Sequence, residues 1–365
     1  MAHRIVIAGG GTGGHLYPGI ALAKSLMKHN KDIEITFVGT EQGIESEILP
    51  REGFKLKTIL SGGLVGKRGL NRWISWCKLP VGISQSLCFL IRHKPDLVVG
   101  VGGYASGPLV LSAWALRIPI LIHEQNAIPG ATNRWLGKVA DKIAVSFKQS
   151  KRFFPHKKVE ETGNMIREEF CAPGPEKNTG APERFNVLIF GGSQGAHSIN
   201  MAVKDALALL APLKDSLFFI HQAGKQDVGK VKQYYAAQGF SADVRPFFHD
   251  MADQYRKASL IICRAGATTL AEVTASGKVS ILVPFPHAAH QHQEKNARIL
   301  EAENAAEMIL DHQLTGENLA QAIRQGLENP ERLKKMEQNS FRLGNRNATE
   351  KVSRLCLQLL EESGR

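Results

Sequence analysis

The chain has 365 residues, of which 43% are hydrophobic and 22% charged, the balance of a globular protein and too long for one domain at ~100–200 residues each. Its formal net charge of +12 directs attention to anionic partners, whether nucleic acid, anionic lipid or a phosphorylated substrate. The missing zinc-finger spacing, RNP-type aromatic strand and basic recognition helix set nucleic acid aside, and no run reaches the ~18 apolar residues of a spanning helix, so any membrane contact is expected to be peripheral.

Met1 leads directly into the β-prone run Arg4–Ala8, from which no signal peptide is expected. Gly9, Gly10, Gly11, Thr12, Gly13, Gly14 and His15 follow, then the apolar-periodic segment Ile20–Leu26: strand, loop, helix. Further strands are expected at Ile33–Val38, Phe54–Leu60, Leu97–Val101, Ile118–His123 and Lys142–Ser146, with helical patterns between them. Within this half, Leu64–Lys94 mixes Trp73, Trp76, Leu79, Val81 and Phe89 with Lys67, Arg68, Arg72, Lys78 and Arg92. Aromatics beside cations suit shallow insertion into an anionic bilayer surface, and an ordinary core helix with a basic outer face fits the same residues.

Cys171–Pro182 is dense in proline and glycine, as a linker would be. The pattern then restarts. Phe185–Phe190 is a strand, Gly191–Ala196 a loop, and a helix follows through Leu210; later strands are expected at Leu217–His221, Leu260–Cys263, Val279–Val283 and Ala306–Leu310. Glu331–Glu361 reads as two amphipathic helices. Alternating strands and helices predict an α/β chain of two Rossmann-like doubly wound domains facing an interdomain cleft. The expected divisions are 1–165, a linker at 166–184, a second domain at 185–345 and a last helix, 346–365, free to pack back on the first. The cysteines Cys77, Cys88, Cys171, Cys263 and Cys356 form no C-x-x-C pair and read as reduced thiols of a cytosolic protein.

Chemistry concentrates where strands meet helices. Gly9, Gly11 and Gly14 satisfy G-x-G-x-x-G and Glu41 follows the second strand, which permits a dinucleotide site. No Gly-Lys-Ser/Thr follows, so a P-loop is excluded. The same amides at a helix N-terminus suit any phosphate, and a tight turn without ligand also uses such glycines. His15 brings a side-chain type that can titrate near neutrality and suits a general base, as it equally suits a plain helix start. Ser193 adds a hydroxyl to the second loop. Cys263–Glu272 offers amides and the hydroxyls of Thr268 and Thr269, with Glu272 placed for vicinal ribose hydroxyls or for plain solvation. Gln291 and Gln293 suit sugar hydroxyls. His287, His290 and His292 lack the spacing of a zinc helix, and no Asp-x-Asp occurs, so no metal and no cofactor are expected. His123, Glu124, Gln125 and Asn126 cluster past a strand, Gly102–Pro108 is a third glycine-rich turn, and Arg167 lies near the domain seam, suited to phosphate or to solvent.

In order along the chain stand G-G-G-T-G-G-H-L-Y-P-G, G-G-Y-A-S-G-P, H-E-Q-N-A-I-P-G, G-N-M-I-R, G-G-S-Q-G-A and C-R-A-G-A-T-T-L-A-E. The set resembles the MurG family, bacterial N-acetylglucosaminyltransferases of peptidoglycan synthesis, from about Arg4 to the C-terminal helices. Met165 stands where the family pattern has proline, and His292-Gln293 where some members have a glutamine pair. The resemblance implies a GT-B architecture and a peripheral enzyme on the cytoplasmic face of the inner membrane. It implies transfer of GlcNAc from UDP-GlcNAc to the 4-hydroxyl of MurNAc in undecaprenyl-pyrophosphoryl-MurNAc-pentapeptide (lipid I), with inversion, giving lipid II and UDP. Donor contacts are implied at Thr12, Gly13, Gly14, Asn126, Arg167, Ser193, Ala267, Thr268, Thr269, Leu270, Glu272 and Gln293, with the Phe248 backbone reading the uracil. Acceptor contacts are implied at Gly11, Thr12, His15, Tyr104 and Ser106, the lipid pyrophosphate near the first glycine loop. His15 is the expected base and Glu124 its rival; Arg72, Trp73, Trp76, Lys78 and Leu79 are the expected membrane contacts. A UDP-GlcNAc 2-epimerase, a nicotinamide oxidoreductase and a non-catalytic membrane scaffold are the competing classes.

Overall fold

The computed structural model describes residues 3–41, 43–62, 70–171 and 184–364, without the side chains of 70–78. It forms two compact units, 1–167 with 345–365, and 168–344. The first unit opens with β1 (Arg4–Ala8), α1 (Gly13–His29), β2 (Glu34–Gly39), α2 (Glu45–Arg51), β3 (Lys55–Thr58) and α3 (Leu70–His93). It continues with β4 (Leu97–Gly100), α4 (Ser106–Ala115), β5 (Ile120–Glu124), α5 (Ala131–Val139), β6 (Lys142–Val145) and β7 (Val159–Glu161). Its seven strands are parallel in the order β3-β2-β1-β4-β5-β6-β7. Parallel strands covered on both faces read as continuous apolar runs, and β1 shows why. Ile5 and Ile7 enter one core with Leu16 and Ile20 of α1 and Leu49 of α2. Val6 and Ala8 enter the other with Leu90 of α3, Leu109 and Val110 of α4 and Leu136 of α5.

The second unit runs β8 (Phe185–Phe190), α6 (His197–Leu210), β9 (Leu217–Gln222), α7 (Val228–Ala237), β10 (Ala242–Arg245), α8 (Met251–Lys257), β11 (Leu260–Cys263) and α9 (Ala267–Ala275). After β12 (Ser280–Leu282) come α10 (His292–Ala302), β13 (Ala306–Met308), α11 (Gly316–Glu328) and α12 (Pro330–Leu343). Its six strands are parallel in the order β10-β9-β8-β11-β12-β13. The centre of each sheet therefore has one wiring: a first strand flanked by the second and the fourth of its unit. In such sheets the chain reverses direction across the first strand, and ligands bind beyond the carboxyl ends there.

The last helix, α13 (Ala348–Glu362), belongs to the first unit. Val352, Cys356, Leu359 and Leu360 join the core of Ile5 and Ile20. Ser353 donates to the Ser25 hydroxyl at 2.8 Å, and Thr349 Oγ1 both accepts from Ile166 N at 3.1 Å and donates to Ile166 O at 2.9 Å. Glu168–Phe170 forms a 3-10 turn counted with the second unit, while the proline-rich stretch 172–183 lies outside the described residues. The short edge strands β7 and β10 were not expected from the sequence.

Candidate active site

In the first unit the loops after β1, β4 and β5 converge at the strands' carboxyl ends. Gly10 and Gly11 take φ of 150° and 82°, conformations that favour glycine. Gly103 approaches Gly10 so closely that a Cβ on it would lie 2.5 Å from the Gly10 carbonyl oxygen. His15, in the first turn of α1, is half-buried with its ring against Gly102, where a Cβ would sit 2.6 Å from Nδ1. Thr12 caps α1 through backbone geometry alone, φ −140°, with no side-chain cap bond, and is exposed.

The residue that organises this loop is Glu45, which sequence reasoning missed. It is fully buried at the start of α2. It accepts from Gly11 N at 2.8 Å and from Thr40 N and Oγ1 at 2.8 and 3.0 Å. Gly10, Gly39 and Gly43 surround its carboxylate, and a Cβ on any of them would collide with it. The carboxylate thus holds the β1 and β2 loops together. Gly11, expected at the acceptor, has its amide engaged by Glu45. A second anion at the same amide would also face the carboxylate's charge, which disfavours the dinucleotide reading.

Ser106, also expected at the acceptor, is buried, and its hydroxyl donates to Ala8 O at 2.8 Å or Gly102 O at 2.7 Å, tying β1 to the β4 loop. Tyr104 is exposed at 57%. Glu124, weighed as a base, is buried at the end of β5. One oxygen accepts from Asn126 N at 2.9 Å and Nδ2 at 3.1 Å, the other from Gly130 N at 3.2 Å and Asn133 Nδ2 at 2.8 Å. Burial pushes its pKa up and these four donors pull it back. With both oxygens engaged it braces the Asn126 loop. Asn126 itself is half-buried. His123 is fully buried, its pKa lowered to about 4, chiefly by burial, and its Nε2 donates to Gly163 O at 3.2 Å. Met165, in place of the family's proline, is wholly buried in the core that holds α13. Arg167 is half-buried with its guanidinium 4.8 Å from the centre of the Tyr17 ring, beside the first turns of α1.

In the second unit the glycine loop Gly191–Ala196 precedes α6 and leaves Ser193 exposed. Gly195 (φ 78°) and Gly224 (φ 81°) interlock backbone to backbone across Ala223 and Gln194. Gln222, the last residue of β9, donates to Gly192 O at 2.8 Å and accepts from Phe248 N at 2.9 Å. Phe248, whose backbone was expected at the uracil, is 1% exposed. Gly266 caps α9 with φ −65° and ψ 140°. Ala267, Thr268, Leu270 and Glu272 are buried and Thr269 half-buried. Burial, and the nearby Glu272 charge, push the Cys263 thiol far up, so it stays protonated. Arg264, quoted within a motif but given no role, ties four elements. It donates to Asp311 at 2.6 Å, Ser198 Oγ at 2.8 Å, and Val283 O and Pro284 O at 3.2 Å. Gln293 Oε1 accepts from Phe285 N at 2.9 Å, which fixes the loop after β12 and turns the carboxamide nitrogen to other use. Among the described residues no three His, Cys, Asp or Glu side chains are grouped to hold a metal. Of the expected membrane residues, Leu79 is half-buried, and the side chains of Arg72, Trp73, Trp76 and Lys78 lie outside the described residues.

Comparison with known proteins accords with this two-part arrangement. Residues 5–145 match the glycosyltransferase family 28 N-terminal domain and residues 186–352 its C-terminal domain. A UDP-N-acetylglucosamine–N-acetylmuramyl-(pentapeptide) pyrophosphoryl-undecaprenol N-acetylglucosamine transferase from Myxococcus xanthus is 48% identical over 360 residues, 99% of this chain and 94% of that one. The enzyme of that name from Geotalea daltonii is 46% identical over 96% of each chain. MurG from Acinetobacter baumannii superposes with a TM-score of 0.77 at 32% identity, covering 98% of this chain and 100% of that one. A UDP-GlcNAc 2-epimerase from Neisseria meningitidis shares the fold at a TM-score of 0.68 and 16% identity. With its two doubly wound sheets and near full-length similarity to these transferases, the chain has the two-domain GT-B fold and belongs to glycosyltransferase family 28, in the MurG family.

Proposed function

We propose that this protein transfers GlcNAc from UDP-GlcNAc to the 4-hydroxyl of MurNAc in lipid I, giving lipid II and UDP with inversion at the anomeric carbon. The observation that carries the reading is the 48% identity, over 99% of the chain, to a transferase of that name. His15 takes the proton of the acceptor hydroxyl as its oxygen bonds to C1 of GlcNAc and the bond from C1 to the UDP oxygen breaks. Thr12 and Tyr104 hold the acceptor sugar. On the second unit, Glu272 grips the ribose hydroxyls, the Phe248 backbone meets the uracil, and Gln293 binds the sugar. Ser193 and the N-terminus of α6 stabilise charge growing on the departing diphosphate, and Arg167 supplies a cation.

The lipid-linked acceptor calls for docking at the cytoplasmic face of the inner membrane. Val81 and Ile91 of α3, Trp114 of α4 and Trp135 of α5 are exposed at 44, 57, 56 and 70%. Helix α4 packs against both α3 and α5, and the Lys138 ammonium lies 4.3 Å from the Trp135 ring centre. Exposed apolar side chains beside cations on neighbouring helices favour peripheral binding to an anionic surface. No described helix is long and apolar enough to cross a membrane.

The deciding experiment is transfer of radiolabelled GlcNAc from UDP-GlcNAc to a lipid I analogue with EDTA present. Labelled lipid product is the expected result. No product with EDTA but recovery on adding magnesium would retain the transferase and overturn a metal-free reaction. Release of UDP and ManNAc without labelled lipid would overturn the proposal in favour of an epimerase. Sedimentation with vesicles containing anionic lipid, and not with neutral ones, checks the docking.

A further inference from the structure

Tyr17 belongs to the first glycine-loop motif but has no part in the reaction as described. It stands in the second turn of α1, and helix side chains lean back toward the N-terminus, over the turn before their own. The ring accordingly lies along Gly13, four residues earlier, where a Cβ would stand 3.2 Å from Cε2 and 3.3 Å from Cδ2. Over the ring rests the guanidinium of Arg167, 4.8 Å from its centre. Arg167 arrives there on a fixed backbone. Thr162 N and Gly163 N donate to Val145 O at 3.0 and 3.3 Å. Asn345 Nδ2 donates to Thr162 O at 2.7 Å, and Gly163 (φ 87°) passes so near that a Cβ would lie 2.7 Å from that nitrogen. Ile166 is held at both N and O by Thr349. The next residue is Arg167, whose long side chain has rotamer freedom to lose. A cation within ~6 Å of a ring centre is drawn to the negative face, more strongly where water is partly excluded, and both residues are half-buried.

We propose that Tyr17 is a positioning residue for the transfer reaction, its ring face holding the Arg167 guanidinium in the pose that meets the charge growing on the departing diphosphate. The backbone sets where the arginine side chain starts, and the ring sets where its charge ends. One helix start thereby carries the base, His15, and through Tyr17 the cation. The role belongs to the aromatic face rather than to bulk, since an aliphatic side chain would pack on Gly13 but attract no cation. An interaction that matters only as charge develops lowers turnover without altering ground-state donor binding. The inference rests on the proposed role of Arg167.

Initial rates of GlcNAc transfer by the full-length protein, with UDP-GlcNAc varied, test it alongside far-UV circular dichroism. Tyr17→Phe keeps the ring, and trifluorophenylalanine in its place keeps the shape while draining negative charge from the face. Turnover is expected to fall about fivefold from the first to the second, and about tenfold in Tyr17→Leu, with the KM for UDP-GlcNAc unchanged. In an Arg167→Met background Tyr17→Leu is expected to cost less than about twofold more, because the ring then has no cation to hold. Equal turnover with the fluorinated and plain rings would overturn the proposal. So would a Tyr17→Leu loss of full size in the Arg167→Met background, the pattern of ordinary packing in α1. A raised KM with turnover intact would overturn it too, since the ring would then serve donor binding. If Tyr17→Leu fails to fold, the two ring variants still decide. Arg167→Met with wild-type turnover would instead overturn the role of Arg167 itself.

Discussion

The two glycine loops follow the first strand of their respective units, precede a helix and open at the same end of a sheet wired in the same order, yet they are braced by different chemistry. The loop after β1 rests on a buried carboxylate, Glu45, which takes the Gly11 amide. The loop after β8 rests on a carboxamide, Gln222, which takes a carbonyl, Gly192 O, while the carboxylate near it, Asp227, pairs with His197 at the start of α6. The first brace is a carboxylate that takes an amide, the second a carboxamide that takes a carbonyl. Topology alone makes the two loops equivalent, and the brace beneath each separates them.

The comparison breaks most visibly at the catalytic base. Changing His15 to alanine is expected to lower turnover ~10²–10⁴-fold while UDP affinity stays at the wild-type value; initial rates and calorimetry check both halves. Next comes Glu45→Ala, which orphans the Gly11 and Thr40 donors inside the first unit. Urea denaturation should show a loss of about 3 kcal/mol, and a loss under a third of that would show the carboxylate to be dispensable. Glu272→Gln sharpens the other side: the KM for UDP-GlcNAc should rise by about tenfold, the value of one charge-assisted hydrogen bond, with that for acceptor unchanged.

Each unit also contains one wholly buried histidine at a strand end, His123 with its pKa lowered to about 4 and His221 with its pKa lowered to about 3, both mainly by burial. The unfolded chain protonates these side chains near the ordinary 6.5, the folded chain only below those values. Stability from their neutral form is therefore complete above pH 6.5 and declines as pH falls, at up to about 1.4 kcal/mol per pH unit for each histidine. The decline should continue to lower pH in the second unit than in the first, and denaturation at pH 7, 5, 4 and 3 measures it. The smallest effect is expected from His29→Ala, which removes the half-exposed pair with Glu350 at 2.7 Å; thermal melts should place it under about 1 kcal/mol.

Much of the architecture is legible in the residues. Arg4–Ala8, Phe185–Phe190 and Leu260–Cys263 were expected as strands end for end, because a strand buried on both faces is a continuous apolar run. Strands Val159–Glu161 and Ala242–Arg245 were not, since each is a short edge with a single buried residue and no such run to read. The polar loops announced themselves through glycine and hydroxyl clusters past apolar runs. Their braces did not. Glu45 reaches Gly11 across 34 residues, and Gln222 reaches Gly192 and Phe248 across 30 and 26. Those meetings arise from strand order, which brings distant loops to one edge, and no local pattern encodes them. Glu124 shows the same limit. A carboxylate in a polar cluster suits a base on sequence grounds, while the convergence of Asn126, Gly130 and Asn133 on it, which makes it a brace of the loop, is not legible there.

The return of α13 to the first unit has a consequence during synthesis. Residues 168–344 form a contiguous unit inserted within the sequence of the other, so on the ribosome they can collapse as soon as they emerge. The unit bearing His15 has to wait. Val352, Cys356 and Leu360, which close the core over Ile5 and Ile20, are translated after all of them. At ~5–20 residues per second, the roughly 180 residues between the two parts impose a delay of about ten to forty seconds. During that interval the N-terminal sheet keeps an uncovered apolar face, the period in which chaperone capture or aggregation competes with folding. A nascent chain released before residue 345 would carry a completed nucleotide-side unit and an unfinished base-bearing one, so that the cell makes the proposed acceptor chemistry available only with the finished polypeptide.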